Sequence, residues 1–300
     1  MKKQYIYAAI SILCWSTVST ITKLLLNDSI NNFQLLWVSA FFAFCFLFLV
    51  NLFSGKLKLL RAYKPKDFLL SAAIGLPGTF FYYVFYYFGA SQLPASQAFI
   101  INYLWPIMSL VFATIILKEK LTLRNGFAIG ISFLGIITIM IGETGNQASS
   151  FWIGAVSCIL GAVSYGIFTA LNKKYTYEKS LSMMINYLVT FVLTTIINAI
   201  GNKLFLPNML QSLGIAWNGI FTMAIASTLW ILALSGEATG KISNLADITP
   251  FLSLVWAAIF LEEKLSSNSF IGLVIIVLGI VIQLGSGKND APIAQHKGNT

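Results

Sequence analysis

The segment Asn102-Tyr-Leu-Trp-Pro106 places polar, aromatic and helix-breaking residues inside one apolar run. A proline inside a helix has no N–H and leaves the carbonyl four residues earlier, here that of Asn102, without its helical donor. At membrane depth such a carbonyl must find another partner or line a cavity. Pro250 stands in a second run of the same kind. The two prolines therefore predict either two broken helices beside a binding site or two packing kinks.

Aromatic side chains are the next group that could contact a solute. Trp15 falls near the middle of the first apolar run, and Tyr82 and Tyr83 fall below the end of the third. Rings at this depth bind aromatic, aliphatic or cationic groups, whereas rings near the end of a run are typical of an interfacial belt. The residues that we expect to contact substrate are Trp15, Tyr82, Tyr83, Tyr86, Asn102, Tyr103, Trp105, Trp230 and Asp247.

Two charged residues fall inside apolar runs. Asp247 lies about five residues into its run, and a carboxylate in a membrane helix, which costs about 2.5–3.5 kcal/mol, usually faces a cavity or a partner. Its role could equally be proton coupling, contact with a substrate amine, or hydrogen bonding near the interface. Lys23 lies near the end of the first run, where its long side chain can carry the ammonium to water.

The motifs of the common enzyme classes are absent from the sequence. It contains no P-loop, no H-E-x-x-H and no G-x-S-x-G. The single histidine, His296, lies in a polar tail, and the three cysteines lack metal-ligand spacing. We therefore expect neither an enzyme nor a cofactor or metal site, and transport would run on a solute or ion gradient.

The chain that carries these residues is too apolar for a soluble domain. Of its 300 residues, 57% are hydrophobic and 10% are charged, whereas a soluble domain has about 25% charged residues. Runs of about 20 apolar residues predict membrane-spanning helices. The ten runs are residues 5–26, 33–53, 68–88, 95–117, 125–141, 152–172, 181–200, 213–235, 242–261 and 268–284. Residues 286–300 are polar and predict a disordered tail.

The basic residues predict the orientation in the membrane. With ten spans both termini lie on one side, and that side receives 16 of the 19 lysines and arginines. Because cytoplasmic loops are enriched in basic residues, we expect both termini and the tail in the cytoplasm and the protein in the inner membrane. The net charge of +9 arises in these loops, so it does not indicate binding to nucleic acid.

The sequence repeats itself with an offset of 144 residues. Residues 106–136 and 250–280 are identical at 14 of 31 positions, including the proline, a Glu-Lys pair and a Leu-Gly pair. The halves 1–142 and 151–285 each carry five predicted helices, and because five is odd, the second half enters the membrane from the opposite side. Inverted repeats are common in secondary transporters, which bind substrate near the midplane. We therefore predict an all-α membrane protein of ten helices in two inverted five-helix repeats.

These features together resemble the EamA-type drug/metabolite transporter superfamily. The resemblance covers nearly the whole chain and rests on the two halves, the tryptophan of the first run and the Leu-x-Glu-Lys-Leu that follows each proline. It implies two repeats around a central cavity. Within the superfamily, Trp15-Ser-Thr17 and Asn102-Tyr-Leu-Trp-Pro106 look most like the aromatic amino acid exporters. Glu237 and Asp247 depart from that branch, where neutral residues are expected, and this leaves room for cationic or other zwitterionic solutes.

The sequence thus favours a transporter that exports aromatic or neutral amino acids, or related compounds, by alternating access. Transport of another metabolite or of an organic cation is the first alternative, and a non-transport membrane protein, lipid-handling or structural, is the second. The expected partners are a small-molecule substrate, membrane lipid and a proton as coupling ion. The assembly would be a monomer or a homodimer.

Overall fold

The computed structural model describes residues 2–27, 30–119, 122–141, 148–175, 177–234 and 244–284. Every regular element in these ranges is helical. Helices α1 to α8 are Lys2–Ser16, Val18–Asn27, Asn32–Phe53, Pro65–Leu76, Tyr82–Gln92, Ala95–Asn102, Trp105–Ile116 and Leu123–Ile141. Helices α9 to α14 are Ala148–Lys174, Lys179–Ile200, Met209–Ala216, Ala226–Leu234, Thr249–Leu261 and Ser267–Leu284.

Seven helical segments of the described ranges are long and apolar enough to cross a membrane. They are Lys3–Leu26, Asn32–Phe53, Pro65–Gln92, Ala95–Ile116, Ser149–Lys174, Lys179–Ile200 and Met209–Trp230. Three further apolar helices are shorter: Leu123–Ile139, Thr249–Leu261 and Ser267–Ile282. The ten predicted runs thus fall on seven long segments and three shorter ones.

Several of the predicted runs are interrupted rather than continuous helices. A π-helical segment, Pro77–Phe81, joins α4 to α5, and a second one, Trp217–Ile225, joins α11 to α12. A 3-10 segment, Asn244–Ile248, leads into α13. With the offset of 144 residues the two π-helical segments overlap. Because π-helical turns are rare and are frequent at functional sites, this pairing directs attention to the middle of the bundle.

Helices α3 and α11 begin with the same reciprocal cap. Asn31 and Gln34 exchange side-chain-to-backbone hydrogen bonds, each of 2.9 Å. Asn208 and Gln211 exchange the same two bonds at the same length. An Asn followed three residues later by Gln thus satisfies N–H groups that a first turn leaves without a partner, which fixes where both helices start.

Helices of the first half pack against helices of the second half, in pairs that the repeat relates to one another. Helix α3 packs on α10 and α8 on α14, and α5 packs on α9 as α1 packs on α12. A Cβ atom added at Gly135 would lie 2.7 Å from the Gly272 carbonyl oxygen, and one added at Gly279 would lie 2.8 Å from the Ala128 carbonyl oxygen. Gly272 and Gly279 follow Ala128 and Gly135 by 144 residues. The halves therefore meet through reciprocal contacts, and glycine permits both of these close approaches.

The repeat extends to the backbone where α7 and α13 end. Lys118 and Glu262 are 144 residues apart, and their φ angles are 58° and 54°. A non-glycine residue rarely adopts these left-handed values, which commonly terminate a helix. The shared Leu-x-Glu-Lys-Leu sequence thus marks a helix end in both halves.

Charged contacts distinguish the two ends of the bundle. At one end Lys56 pairs with Glu178 and Lys173 with Glu119, each at 2.5 Å. We call this the basic end. Helices α6 and α7 run from the opposite end, which contains Glu263, to the basic end, because α7 is followed by Glu119. We call the opposite end the Glu263 end.

Two half-buried charges organise the Glu263 end. The Glu263 carboxylate accepts hydrogen bonds from the N–H groups of Ala95 and Ser96 at 2.6 and 3.0 Å and from the Ser96 hydroxyl at 2.7 Å. The Lys23 ammonium donates to the carbonyl oxygens of Ala90 and Leu93 at 3.0 and 2.8 Å. The Glu263 carboxylate lies at the N-terminus of α6 and the Lys23 ammonium at the C-terminus of α5, so each charge stabilises a helix end of opposite partial charge. The sequence did not indicate this role for Lys23.

Candidate substrate cavity

A cavity lies between the two halves, beside the helix interruptions. The space free of protein atoms is about 760 Å³, which includes the solvent onto which the cavity opens, and the centre of a water-sized sphere can occupy about 60 Å³ of it. Its aromatic lining consists of Trp15, Tyr82, Tyr83, Phe99, Tyr103, Trp105, Tyr165, Phe168 and Tyr187. Its polar lining consists of Thr79, Asn102, Thr222, Ser227 and Thr249. No carboxylate, ammonium or guanidinium group from the described part of the chain lines it, so these residues form a neutral, ring-lined site.

Trp15 is held between α1 and the second π-helical segment. Its indole Nε1 donates a hydrogen bond to the Thr222 carbonyl oxygen at 3.1 Å. The Trp230 ring supports it, with the two ring centroids 5.5 Å apart. Trp15 therefore presents its ring to the cavity, while Trp230 packs against that ring and is not among the described lining residues.

Tyr82 and Asn102 form the polar centre of the aromatic wall. The Asn102 side-chain Nδ2 donates to the Tyr82 hydroxyl at 3.0 Å. The Tyr82 ring centroid lies 5.0 Å from that of Tyr165, which in turn lies 5.2 Å from Trp105. The Trp105 and Tyr165 rings are nearly perpendicular, at 76°. Edge-to-face packing of this kind holds rings in fixed orientations, so the wall is preformed.

The interruption between α6 and α7 places Asn102, Tyr103 and Trp105 in the cavity lining. Helix α6 ends at Asn102, and the Tyr103 N–H bonds the Phe99 carbonyl oxygen at 2.9 Å. Helix α7 begins at Trp105 with Pro106 in its first turn, where a proline removes no helical hydrogen bond. Pro250 occupies the first turn of α13 in the same way. Both prolines thus start new helices instead of kinking continuous ones.

One hydrogen bond joins the two interruptions. The Tyr103 hydroxyl donates to the Ala246 carbonyl oxygen at 2.7 Å. Ala246 follows Asn102 by 144 residues and lies in the 3-10 segment before α13. The interrupted helices of the two halves therefore touch directly at the cavity.

Three predicted contact residues are not among the described lining. Tyr86 is fully buried behind Tyr82, with stacked ring centroids 5.9 Å apart, and Trp230 lies behind Trp15. The Asp247 backbone lies in the 3-10 segment, between the lining residues Ala246 and Thr249. The Asp247 side chain falls outside the described part of the structure, as does all of Glu237.

Sequence reasoning missed the contribution of α9 and α10. Tyr165 and Phe168 on α9 and Met183 and Tyr187 on α10 line the cavity. One signal could have found Tyr165, because Ser164-Tyr-Gly166 follows Cys14-Trp-Ser16 by 150 residues and makes Tyr165 the counterpart of Trp15. Phe168 depends on the close approach of another helix, since its ring packs where a Cβ atom at Gly78 would lie.

Comparison with known proteins agrees with this architecture. The EamA-like transporter family model matches the chain twice, over residues 2–141 and 152–285. An uncharacterized transporter of Archaeoglobus fulgidus is 26% identical over 288 residues, which cover 93% of this chain and 98% of that protein. An S-adenosylmethionine uptake transporter of Rickettsia prowazekii is 21% identical over 182 residues, which cover 58% of this chain and 59% of that protein.

A solved crystal structure shares the fold. It superimposes with a TM-score of 0.69 at 18% sequence identity and covers 97% of this chain and 99% of its own. The two matches to the family model together span most of the sequence, both halves included. The chain therefore belongs to the EamA-like transporter family, within the drug/metabolite transporter superfamily.

Proposed function

We propose that this protein is a secondary transporter that exports aromatic or other neutral amino acids across the cytoplasmic membrane by alternating access. The observation that carries the proposal is the neutral, ring-lined cavity between the two halves. Membership of a transporter family supports movement of a small metabolite. The substrate class rests on the chemistry of the lining.

Two lining residues have a polar atom without a hydrogen-bond partner in the described part of the chain, and a zwitterion would reach these atoms after the side chains of the lining rearrange. The Asn102 Oδ1 atom and the Thr249 hydroxyl are buried and have no hydrogen-bond partner among the described residues. A buried polar atom without a partner is costly, so a ligand that supplies one is favoured. Asn102 would accept from the ammonium of an amino acid, and Thr249 would donate to its carboxylate. The surrounding rings would take the side chain.

The reciprocal packing of the halves supports alternating access. We infer that residues 1–142 and 151–285 are inverted repeats, with both termini on the cytoplasmic side. Two such repeats give two equivalent arrangements about one site, and exchange between them opens the site to either side of the membrane. The site itself would stay at the helix interruptions in both states.

Counterflow in proteoliposomes tests the proposal. Liposomes that contain the protein are loaded with unlabelled substrate and diluted into labelled Trp, Phe, Leu or Ala. We expect saturable exchange of the aromatic amino acids and weaker exchange of the small ones, since small side chains bury less apolar area. Exchange of no amino acid would contradict the amino acid proposal.

A second candidate substrate is an organic cation with a methylated onium centre. Rings attract cations through their faces, and two relatives, from Rickettsia prowazekii and Rickettsia bellii, are S-adenosylmethionine uptake transporters. Adding S-adenosylmethionine and a quaternary amine to the counterflow panel separates the candidates. Exchange of a cation without exchange of neutral amino acids would favour this second substrate class.

Asp247 is the proposed coupling residue, because its backbone lies between two residues of the cavity lining. We expect Asp247→Asn to abolish the pH dependence of uphill transport while counterflow persists. The measurement is the transport rate between pH 5.5 and 8.5 with and without a proton gradient. An unchanged pH profile with an unchanged substrate ranking would contradict a role for this carboxylate.

A further inference from the structure

The cavity uses α10 but not the equivalent helix of the first half. Met183 and Tyr187 of α10 line it. Their counterparts are Leu36 and Ala40 of α3, 147 residues earlier. This offset relates α3 to α10, because the Asn51 Nδ2 donates to the Ser180 carbonyl oxygen at 3.3 Å, and the Asn198 Nδ2, 147 residues later, donates to the Phe33 carbonyl oxygen at 3.1 Å. Both counterparts are fully buried, and no described residue of α3 is part of the lining. This asymmetry requires an explanation, because most of the cavity is paired.

The paired character of the remaining lining sets the expectation. Gly78 and Thr222 both line the cavity and are 144 residues apart. The same is true of Asn102 and Ala246. Trp15 and Tyr165 form a further pair, at the offset of 150 residues that relates α1 to α9. The absence of Leu36 and Ala40 from the described cavity lining is therefore a property of the conformation and does not follow from the repeat.

Helix α3 is closed against the second π-helical segment. A Cβ atom added at Gly219 would meet the Ser39 carbonyl oxygen and would lie 2.8 Å from the Phe42 Cβ and 3.2 Å from the Ala43 N. The counterpart contact, between α10 and Gly75, is made by the side chain of Asn186. A side chain can turn away more readily than a backbone, so the contact between α3 and Gly219 is the harder of the two to open. We call this contact the seal.

The directions of α3 and α10 show which end of the bundle the seal lies nearer. Helix α10 begins at the basic end, where Glu178 pairs with Lys56, and Met183 lies four residues after its first residue, Lys179. Helix α3 begins at the opposite end, because it leads to Lys56 at its C-terminus. The cavity thus extends along the half of α10 nearer the basic end and is closed along the half of α3 nearer the Glu263 end.

We propose that Leu36 and Ala40 line the substrate path when the cavity faces the Glu263 end, in the places that Met183 and Tyr187 hold in the conformation described above. The inference rests on the proposed alternating access. The path would then offer an isobutyl and a methyl group at the Glu263 end in place of a thioether and a phenol. An aromatic solute loses ring contacts on that side, which favours its release there.

Cysteine accessibility tests the proposal. In a background with Cys14, Cys45 and Cys158 replaced by Ala, single cysteines are placed at Leu36 and Ala40. Leu35→Cys is the matched control, since Leu35 is equally buried on the same helix and its counterpart Ser182 is not among the described lining residues. We expect a membrane-impermeant maleimide, applied from the Glu263 end, to label the two test cysteines about tenfold faster than the control, because labelling follows the population of the open state.

A second variant changes the seal without touching the labelled residue. Gly219→Ala introduces the Cβ atom that the seal excludes, and its nearest neighbours belong to Ser39, Phe42 and Ala43, so it should raise the labelling rate of Ala40→Cys several-fold. Gly130→Ala is the control, because a Cβ atom there meets nothing within 4 Å. If Leu36→Cys fails to fold, Ala40→Cys with these two backgrounds still decides the question.

Two failures are distinguishable. Labelling of Leu36→Cys and Ala40→Cys no faster than Leu35→Cys, in protein that performs counterflow, would overturn the assignment of α3 and leave the transporter proposal intact. Fast labelling of both test cysteines from the Glu263 end, with Gly219→Ala increasing it, would establish the path. Absence of counterflow for every compound in the panel would instead contradict the proposed function.

Discussion

Helices α7 and α13 each carry a proline in the first turn, and the two halves differ in what precedes these helices. In the first half, all eight residues of α6 are buried, and Glu263 caps its first turn. In the second half, the described chain enters through the 3-10 segment, where Ala246 is buried but Ile248 is 48% exposed. Among the described residues, the break is thus common to both halves, and in the first half a capped, fully buried helix precedes it. We call the first half the anchored half.

The chemistry of the cavity is distributed just as unevenly. Asn102, Tyr103 and Trp105 of the first half face Ala246 and Thr249 of the second. Six of the nine lining rings come from the first half, whereas three of the five polar lining residues come from the second. If the anchored half binds the solute and the other half moves around it, substitutions of equivalent positions should have unequal effects.

The largest effect on transport is expected at Asn102. Asn102→Ala removes the bond to Tyr82 and the proposed ammonium acceptor, and a hydrogen bond to a charged group contributes about 1.5–3 kcal/mol. The KM for counterflow should rise about tenfold or more. Asn198→Ala is the control, because this buried asparagine bonds the Phe33 and Thr194 carbonyls away from the cavity. An equal rise in KM for both variants would contradict a binding role.

The largest effect on stability is expected at Glu263. Glu263→Gln weakens three hydrogen bonds at the start of α6, and we expect a loss of about 1.5–3 kcal/mol. Its counterpart Glu119 forms a partly exposed pair with Lys173, for which about 0–1 kcal/mol is typical. Thermal unfolding of the two variants in the same detergent measures the difference. Equal destabilisation would show that α6 is not anchored by this carboxylate.

A smaller effect is expected where the two interruptions touch. Tyr103→Phe removes the hydroxyl that donates to the Ala246 carbonyl, which costs about 1 kcal/mol and should change the counterflow rate several-fold. Tyr187→Phe is matched, because its hydroxyl donates to the Met223 carbonyl from the same cavity. If the contact between the interrupted helices controls exchange, the rate should respond to Tyr103→Phe more than to Tyr187→Phe.

The smallest effect tests the likeness of the halves and not their difference. Lys118 and Glu262 both hold left-handed backbone conformations, so glycine at either position should be neutral or should stabilise the protein by about 1 kcal/mol. Thermal unfolding of Lys118→Gly and Glu262→Gly provides the comparison. Stability changes of opposite sign would indicate that these two helix ends are not equivalent.

Much of the architecture could be predicted because the repeat constrains it twice. Pro106 and Pro250 indicated the interruptions, since a proline can begin a helix but cannot continue one. Trp15, Tyr82, Tyr83, Asn102, Tyr103 and Trp105 were expected together, and all six line the cavity. Their residue types and their depth in the apolar runs were sufficient to place them inside the protein, because polar and aromatic groups at the middle of a membrane helix need a protein environment.

The rest depended on which helix face meets which neighbour. Tyr86 lies one helical turn after Tyr82 and shares its face, yet it is buried behind Tyr82 because the cavity ends there. Phe168 reaches the cavity only because Gly78 permits a close approach. The π-helical segments also shift the phase of the helices in which they occur, and no local sequence feature had indicated them.

Counterflow with matched tryptophan variants tests the central claim most directly. Trp105 lines the cavity, whereas Trp217 is partly exposed and stacks on Phe221 with ring centroids 4.5 Å apart. The account predicts saturable exchange of labelled tryptophan and phenylalanine by the native protein and by Trp217→Ala, and loss of that exchange in a folded Trp105→Ala. Equal exchange by all three proteins would contradict a substrate site at the ring-lined cavity.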